Sequence, residues 1–360
     1  MRKLAIFFIL ITVAALIVAA LIAGCIEEKS KTGYVEIKDM AGRTVKIPEK
    51  VERIATLFPA NLRIIVMLNA TDKVVGISNY FDKYGDKLED ALAHPELLKA
   101  ERIGSVGEPD MEKIAELRPD VIFIESAYAQ IADTIEKNTG VPVVCINTSI
   151  YSGKLDDFYK TIRLVARIIG KEKRAEKIIE YIDSEVENVT KRVKDIPKEE
   201  TKVFLSNWAY RHGISWTVKY YAPINLIARN VAENIPTHYM EVTKEQIIEW
   251  NPDVIFIHGY KGKSAVDEIL NDPALQHVKA VKEGKVYGLF GPYIGYDPKT
   301  MIVDLYWAAK VIYPERFKDV DVMKKGEEVF TFFYGKKSAE VFHEVIENRG
   351  LYLSQELTPQ

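Results

Sequence analysis

Short apolar runs alternate with segments whose apolar positions recur every three or four residues, first from 53 to about 150 and again from 202 to about 290. The runs cover 53–57, 73–78, 121–125 and 141–147, then 202–207, 253–258 and 285–290. Wholly apolar strands separated by helices predict a parallel sheet covered on both faces. Helical spacing is clearest at 61–68, 110–117 and 243–250. Ahead of the first run, 35–48 alternates strand residues around an Ala-Gly turn and predicts a hairpin.

Residues 152–194 break this rhythm, with no strand signal and about forty residues of helix-forming sequence. Gly170 divides the segment. Ala175, Ile178, Ile179, Ile182, Val186, Val189 and Val193 then follow i, i+3, i+4, i+7 spacing with charges on the other face. One helix over 171–193 is about 34 Å long, and Ile196-Pro197 ends it. Helical sequence returns from 299 to about 349. The expected fold is α/β: two Rossmann-like lobes with mostly parallel central sheets, joined by one long rigid interlobe helix. A long helix resists bending, so modest lobe movement is expected rather than wide hinge closure.

The two stretches repeat each other. Residues 110–124 (DMEKIAELRPDVIFI) return as 243–257 (TKEQIIEWNPDVIFI), 133 positions on, with nine of fifteen identical. One helix-strand unit used twice predicts two lobes on one plan, with ligand held between them. The expected division is 1–24 membrane segment, 25–33 tether, 34–151 first lobe, 152–197 helical linker and 198–360 second lobe.

Composition adds location and removes whole classes of function. Arg2 and Lys3 precede a stretch over 4–23 that is apolar apart from Thr12, and Ile22-Ala23-Gly24-Cys25 resembles a lipobox. A secretory core is usually about 7–15 residues, and about 20 can also span a bilayer. Either way the chain is expected outside the cytoplasm, tethered at the membrane through lipid on Cys25 or an anchor helix. A net charge of −3 with no basic run argues against nucleic acid. Cys145 lies in an apolar strand and reads as a small buried residue. No nucleophile elbow, phosphate loop, zinc-protease helix or catalytic carboxylate pair is present, so no enzyme activity and no cofactor are expected.

The ordered motifs carry a resemblance. DMAGRTVKIP (39–48), RIATLFPANLRIIVMLNATDKVVGISNY (53–80), VGEPDMEKIAELRPDVIFI (106–124), TGVPVVCIN (139–147), VTKEQIIEWNPDVIFI (242–257) and VKEGKVYGL (281–289) resemble the helix-linked (class III) substrate-binding lipoproteins of ABC importers. That family carries ferric siderophores, haem or vitamin B12. The resemblance implies capture of a metal chelate, an iron chelate or metal macrocycle, and delivery to a permease dimer with its cytoplasmic ATPase. It implies a docking glutamate on each lobe, Glu112 and Glu245, with Glu116 and Glu249 as competitors. From the residues alone, a carboxylate in a helix's first turn also serves the helix dipole.

Ligands of parallel α/β sheets bind beyond the carboxyl ends of the strands. The loops there hold Asn61, Arg63, Tyr80, Tyr128, Trp208, Tyr210, Arg211, His212, Trp216, Tyr260, Tyr293 and Tyr296. Aromatic walls suit flat chelates, and Arg63 and Arg211 are the cations for anionic groups. The B12-binding pattern implies a ligand-contacting tyrosine at Tyr80, but its tryptophan falls near Val106 and its arginine near Lys299. A corrinoid is therefore an alternative to a ferric chelate or haem. A free-ion site is another, although His212, His238 and His258 all belong to the second lobe. A sensory lipoprotein or a secreted enzyme completes the alternatives.

Overall fold

The alternating segment near the start forms β1 (Tyr34–Lys38) and β2 (Thr44–Pro48), paired antiparallel from Tyr34↔Pro48 to Lys38↔Thr44. The computed structural model describes residues 33–148, 154–207, 214, 216–258, 262–291, 297–335 and 338–349. Arg43 clamps the hairpin to the first lobe, with ion pairs to Asp39 at 3.1 Å and Asp133 at 2.8 Å and a bond to the Val143 carbonyl at 3.0 Å.

Five parallel strands make the first sheet: β3 (Ile54–Thr56), β4 (Val74–Ile77), β5 (Glu101–Arg102), β6 (Val121–Glu125) and β7 (Val143–Ile146), in the order β5-β4-β3-β6-β7. Its helices are α1 (Pro59–Met67), α2 (Tyr80–Tyr84), α3 (Glu89–Ala93), α4 (Met111–Leu117) and α5 (Ala129–Thr139). Two helices follow, α6 (Leu155–Ile169) and α7 (Glu172–Val193). Gly170 separates them at φ 71°, a left-handed conformation that glycine adopts at no steric cost. The expected apolar stripe of α7 is buried except for Val186, which is half-buried, and Glu185 is buried beside it.

The second sheet holds β8 (Lys202–Asn207), β9 (Trp216–Val218), β10 (Arg229–Asn230), β11 (Tyr239–Glu241), β12 (Val254–His258) and β13 (Val286–Leu289). Its path is β11-β9-β8-β12-β13 with β10 alongside β8. β9 and β11 run antiparallel to their neighbours. Around it lie α8 (Ala222–Asn225), α9 (Lys244–Trp250), α10 (Gly262–Leu270), α11 (Lys279–Lys282), α12 (Pro298–Ile312), α13 (Val322–Tyr334) and α14 (Ser338–Arg349). The sequence pattern misses β5 and β9–β11. They are two or three residues long, too short to show a period.

Side-chain alternation splits both VIFI tetrads the same way. Ile122 and Ile124 enter a core confined to the first lobe, and Ile255 and Ile257 enter one confined to the second. Val121, Phe123, Val254 and Phe256 all point into a third core, which is continuous from one sheet to the other through α6, α7, α12 and α13. The C-terminal helices reach back across, α13 packing on α1 and α14 on α3. Arg174 of α7 ties this junction. It donates to the Met67 carbonyl at 3.0 Å and the Phe332 carbonyl at 3.0 Å. Both carbonyls lie in the last turns of helices, where a cation is favoured.

Among the described residues no helix is long and apolar enough to cross a membrane. The apolar stretch 4–23 and Cys25 lie outside them.

Candidate functional site

Parallel strands end on one edge of their sheet, so the segments after β3, β4, β6 and β7 gather in the first lobe, and those after β12 and β13 in the second. Phe58 follows β3 and Tyr80 opens α2 after β4. Their rings meet edge to face at 5.9 Å, and Tyr84 stacks on Tyr80 at 6.1 Å. All three are half-buried. Tyr84 is absent from the sequence expectation, although the Tyr80/Tyr84 spacing of one helical turn was there to be read. Tyr128 stands after β6 with 37 % of its surface exposed.

Two of the expected contact residues lie in the interior. Arg63 is fully buried, because every residue of α1 is buried and the helix offers no solvent face. Its guanidinium turns to Glu89, Asp90 and Asp297 rather than to an open cleft. Asn61 is also fully buried. Its amide stands by Glu125 at the end of β6, which accepts the Thr148 hydroxyl at 2.6 Å. Burial pushes the Glu125 carboxyl up, and hydrogen bonds from the Thr148 hydroxyl and amide oppose that rise. Among the described residues neither the Asn61 Nδ2 nor its Oδ1 has a hydrogen-bond partner.

The second lobe contributes His258, the last residue of β12. Burial pushes its imidazole down to about 4, so the ring is neutral at physiological pH. Among the described residues Nδ1 has no hydrogen-bond partner. The Tyr221 ring meets His258 edge-on at 5.1 Å. Gly291, at φ 49°, passes so close that a Cβ there would lie 2.9 Å from His258 Nε2. Asp304 holds this turn, accepting the Phe290 and Gly291 amides at 2.6 and 3.0 Å and the Tyr221 hydroxyl at 2.6 Å. Neither Asp304 nor Tyr221 is signalled by the sequence, since both act from other elements. Trp216 is the first residue of β9, half-buried, rather than part of the preceding loop. Trp208, Tyr210, Arg211, His212, Tyr260, Tyr293 and Tyr296 lie outside the described residues.

His94 and His343 serve locally. His94 Nδ1 meets Glu96 at 2.9 Å and His343 Nε2 meets Glu327 at 2.7 Å. Cys145 is buried, and that burial lifts its thiol to about 11 and makes it a poor nucleophile. Among the described residues no group of three His, Cys, Asp or Glu is arranged to hold a metal ion.

The repeated helices α4 and α9 present their first turns to solvent. Asp110 caps α4 through the Lys113 amide at 2.9 Å, and Thr243 caps α9 through the Gln246 amide at 3.2 Å. The Gln246 side chain turns to Glu249 at 3.0 Å, so the return half of a capping box is not made. Glu112 and Glu245 are exposed, and among the described residues neither has an ion pair. Glu116, by contrast, is held by Lys113 at 3.2 Å.

Comparison with known proteins agrees with this architecture. Residues 54–292 match the family described as periplasmic binding protein. The molybdate-binding protein MolA of Haemophilus influenzae is 27% identical over 321 residues, covering 83% of this chain and 90% of that protein. Its molybdate-bound structure superposes with a TM-score of 0.69 at 24% identity, over 84% of this chain and 98% of that one. An uncharacterised ABC transporter substrate-binding lipoprotein of Bacillus subtilis, YvrC, is 27% identical over 85% of this chain and 97% of its own length. The petrobactin-binding protein YclQ of the same organism is 24% identical, covering 79% and 90%.

Proposed function

This chain belongs to the periplasmic binding protein family, and on that premise we propose that it captures a metal chelate between its lobes and hands it to the permease of an ABC importer. The family consists of substrate-binding transport proteins, so the chain is a binding protein of an ABC transporter. The cargo class is the proposal. The observation that carries it is the pairing of chemistries at the strand ends. The first lobe offers the Phe58–Tyr80–Tyr84 aromatic wall, and the second offers the neutral imidazole of His258. Aromatic faces take a flat or conjugated chelate, and a neutral imidazole offers a lone pair to a metal with a free position. The petrobactin-binding and molybdate-binding relatives support a metal-containing cargo. Arg211, Tyr260, Tyr293 and Tyr296 complete the proposed contact set, and Cys25 the proposed lipid anchor.

Docking is proposed through Glu112 and Glu245. They occupy the same place in two copies of one helix, each exposed in a first turn.

Tryptophan-quenching titration tests the cargo. The panel holds ferric catecholates, ferric hydroxamates, haemin, cobalamin, molybdate and free divalent ions, with metal-free chelators as controls. Saturable sub-micromolar quenching by one ferric chelate or haemin, weakened at least tenfold by Tyr80→Ala, is the expected result. Tight response to molybdate or free ions alone overturns the chelate reading.

A further inference from the structure

The chain carries three Asn-X-Ser/Thr triplets: Asn69-Ala70-Thr71, Asn147-Thr148-Ser149 and Asn188-Val189-Thr190. Outside the cytoplasm such a triplet is an acceptor for N-linked glycan when it lies on the surface. The motif alone discriminates poorly, and the fold separates the three. Asn188 is exposed but sits inside α7, and the Thr190 hydroxyl is committed to the Val186 carbonyl at 2.9 Å. Asn147 is half-buried, and Thr148 beside it is buried with its hydroxyl on Glu125 at 2.6 Å.

Asn69 differs at each point. It lies just past the end of α1, in the turn that leads to β4, and its side chain is exposed. Its φ of 54° is left-handed, a conformation asparagine tolerates better than most non-glycine residues. That geometry accounts for an asparagine at 69, but it asks nothing of position 71. Thr71 opens a one-turn helix, Thr71–Lys73, whose N-cap is Ala70. Among the described residues neither the Asn69 side-chain amide nor the Thr71 hydroxyl has a hydrogen-bond partner. The two groups that define the motif are the two that the fold leaves unused.

The position also leaves room for a bulky group. Strands β3 and β4 are parallel, and α1 returns the chain between them. The aromatic wall begins at Phe58, the N-cap of α1, and Asn69 lies beyond the other end of that helix. Nine residues of helix hold the two ends about 14 Å apart. A glycan on Asn69 therefore leaves from the edge of the sheet opposite the cargo side.

We propose that Asn69 is an N-glycosylation site, a proposal that rests on the reading of the chain as an extracytoplasmic binding protein. The donor class is a glycan carried on a polyprenyl phosphate or diphosphate, transferred by a membrane glycosyltransferase. A bond forms between Asn69 Nδ2 and the anomeric carbon of the first sugar as the bond from that carbon to the phosphate oxygen breaks. The lipid phosphate leaves with the electron pair, and the amide gives up one N–H proton to it.

Peptide mass spectrometry of the full-length protein, purified from the membranes of its own cells, tests this. The Asn69 peptide should carry a mass increment of whole sugar residues, and the Asn147 and Asn188 peptides none. Asn69→Gln and Thr71→Ala should each remove the increment, and Thr71→Ser should keep it. Glutamine fits a left-handed backbone less well than asparagine, so Thr71→Ala carries the test if Asn69→Gln does not fold. Labelling of intact cells with a membrane-impermeant amine reagent reports which side the chain faces. An unmodified Asn69 on an outward-facing chain, or an increment that survives Thr71→Ala, overturns the proposal alone. An inward-facing chain overturns it together with the location it rests on.

Discussion

The carboxylate of Asp120 accepts the backbone amide of Arg53 at 2.8 Å, at the foot of the first sheet. In the other lobe Asp253, 133 positions on, accepts the Lys202 amide at 2.8 Å. The repeat thus conserves a job as well as a pattern: each aspartate leads into a VIFI strand and pins the start of the neighbouring strand. Arg118 and Asn251, also 133 apart, both end their helix in the left-handed conformation, at φ 47° and 43°.

Asp120→Ala and Asp253→Ala should each lower stability by about 1.5–3 kcal/mol, the worth of hydrogen bonds to a charged group. Asp120 also accepts the Glu52 amide at 2.7 Å, so its loss is expected at the upper end. Urea unfolding of each variant beside the unsubstituted protein measures the difference. A change below about 0.5 kcal/mol would show that the strand starts are held by the sheet alone.

Gly326→Ala should destabilise, although alanine is about 1 kcal/mol better than glycine inside a helix. A Cβ at 326 would lie 2.0 Å from the Phe342 ring. That ring is fully buried and stacked on Phe290 at 5.3 Å, so it has no room to retreat. Overpacking of this kind costs about 1–3 kcal/mol and outweighs the helix gain. A lower thermal midpoint is the expected readout, and a higher one would mean that α14 shifts freely on α13.

His258 should make the protein acid-sensitive. Its folded-state pKa, about 4, lies below the usual 6.5. The unfolded chain therefore binds the extra proton first, and stability falls as pH drops from about 6.5 towards 4. The pH dependence of unfolding in His258→Asn, set against the unsubstituted protein, isolates the histidine. Parallel profiles for the two proteins would remove His258 as the cause.

Docking through both lobes predicts that Glu112→Ala and Glu245→Ala together abolish cargo uptake while leaving cargo binding within about twofold. Exposed carboxylates contribute little to folding, so unfolding midpoints should stay within about 0.5 kcal/mol. Glu116→Ala, which loses only a surface pair with Lys113, should retain uptake. Normal uptake by the double variant would sink the docking assignment and leave the binding function standing.

The helices and strands of the βα units were legible because their patterns are local. Apolar runs of four or five residues, N-caps at Asp110 and Thr243, and glycine at 170 each act within one turn or one strand. The site was legible only as a set of loops. Tyr80 was visible, and Tyr84 one helical turn on could have been read with it, but Phe58 becomes a neighbour of Tyr80 only when β3 and β4 pair.

The sequence by itself determined two lobes on one plan, the long α7 between them and the edge of each sheet at which the strand-end loops gather. Those follow from periodicity, repetition and strand direction. Only the tertiary structure decided what Arg63 does. By residue type it is a surface cation suited to an anionic ligand. Once α1 is buried on every side, its charge must be met inside the protein, and the partners come from positions 89, 90 and 297. Long-range electrostatics under burial depends on which elements meet, and no local pattern along the chain records that.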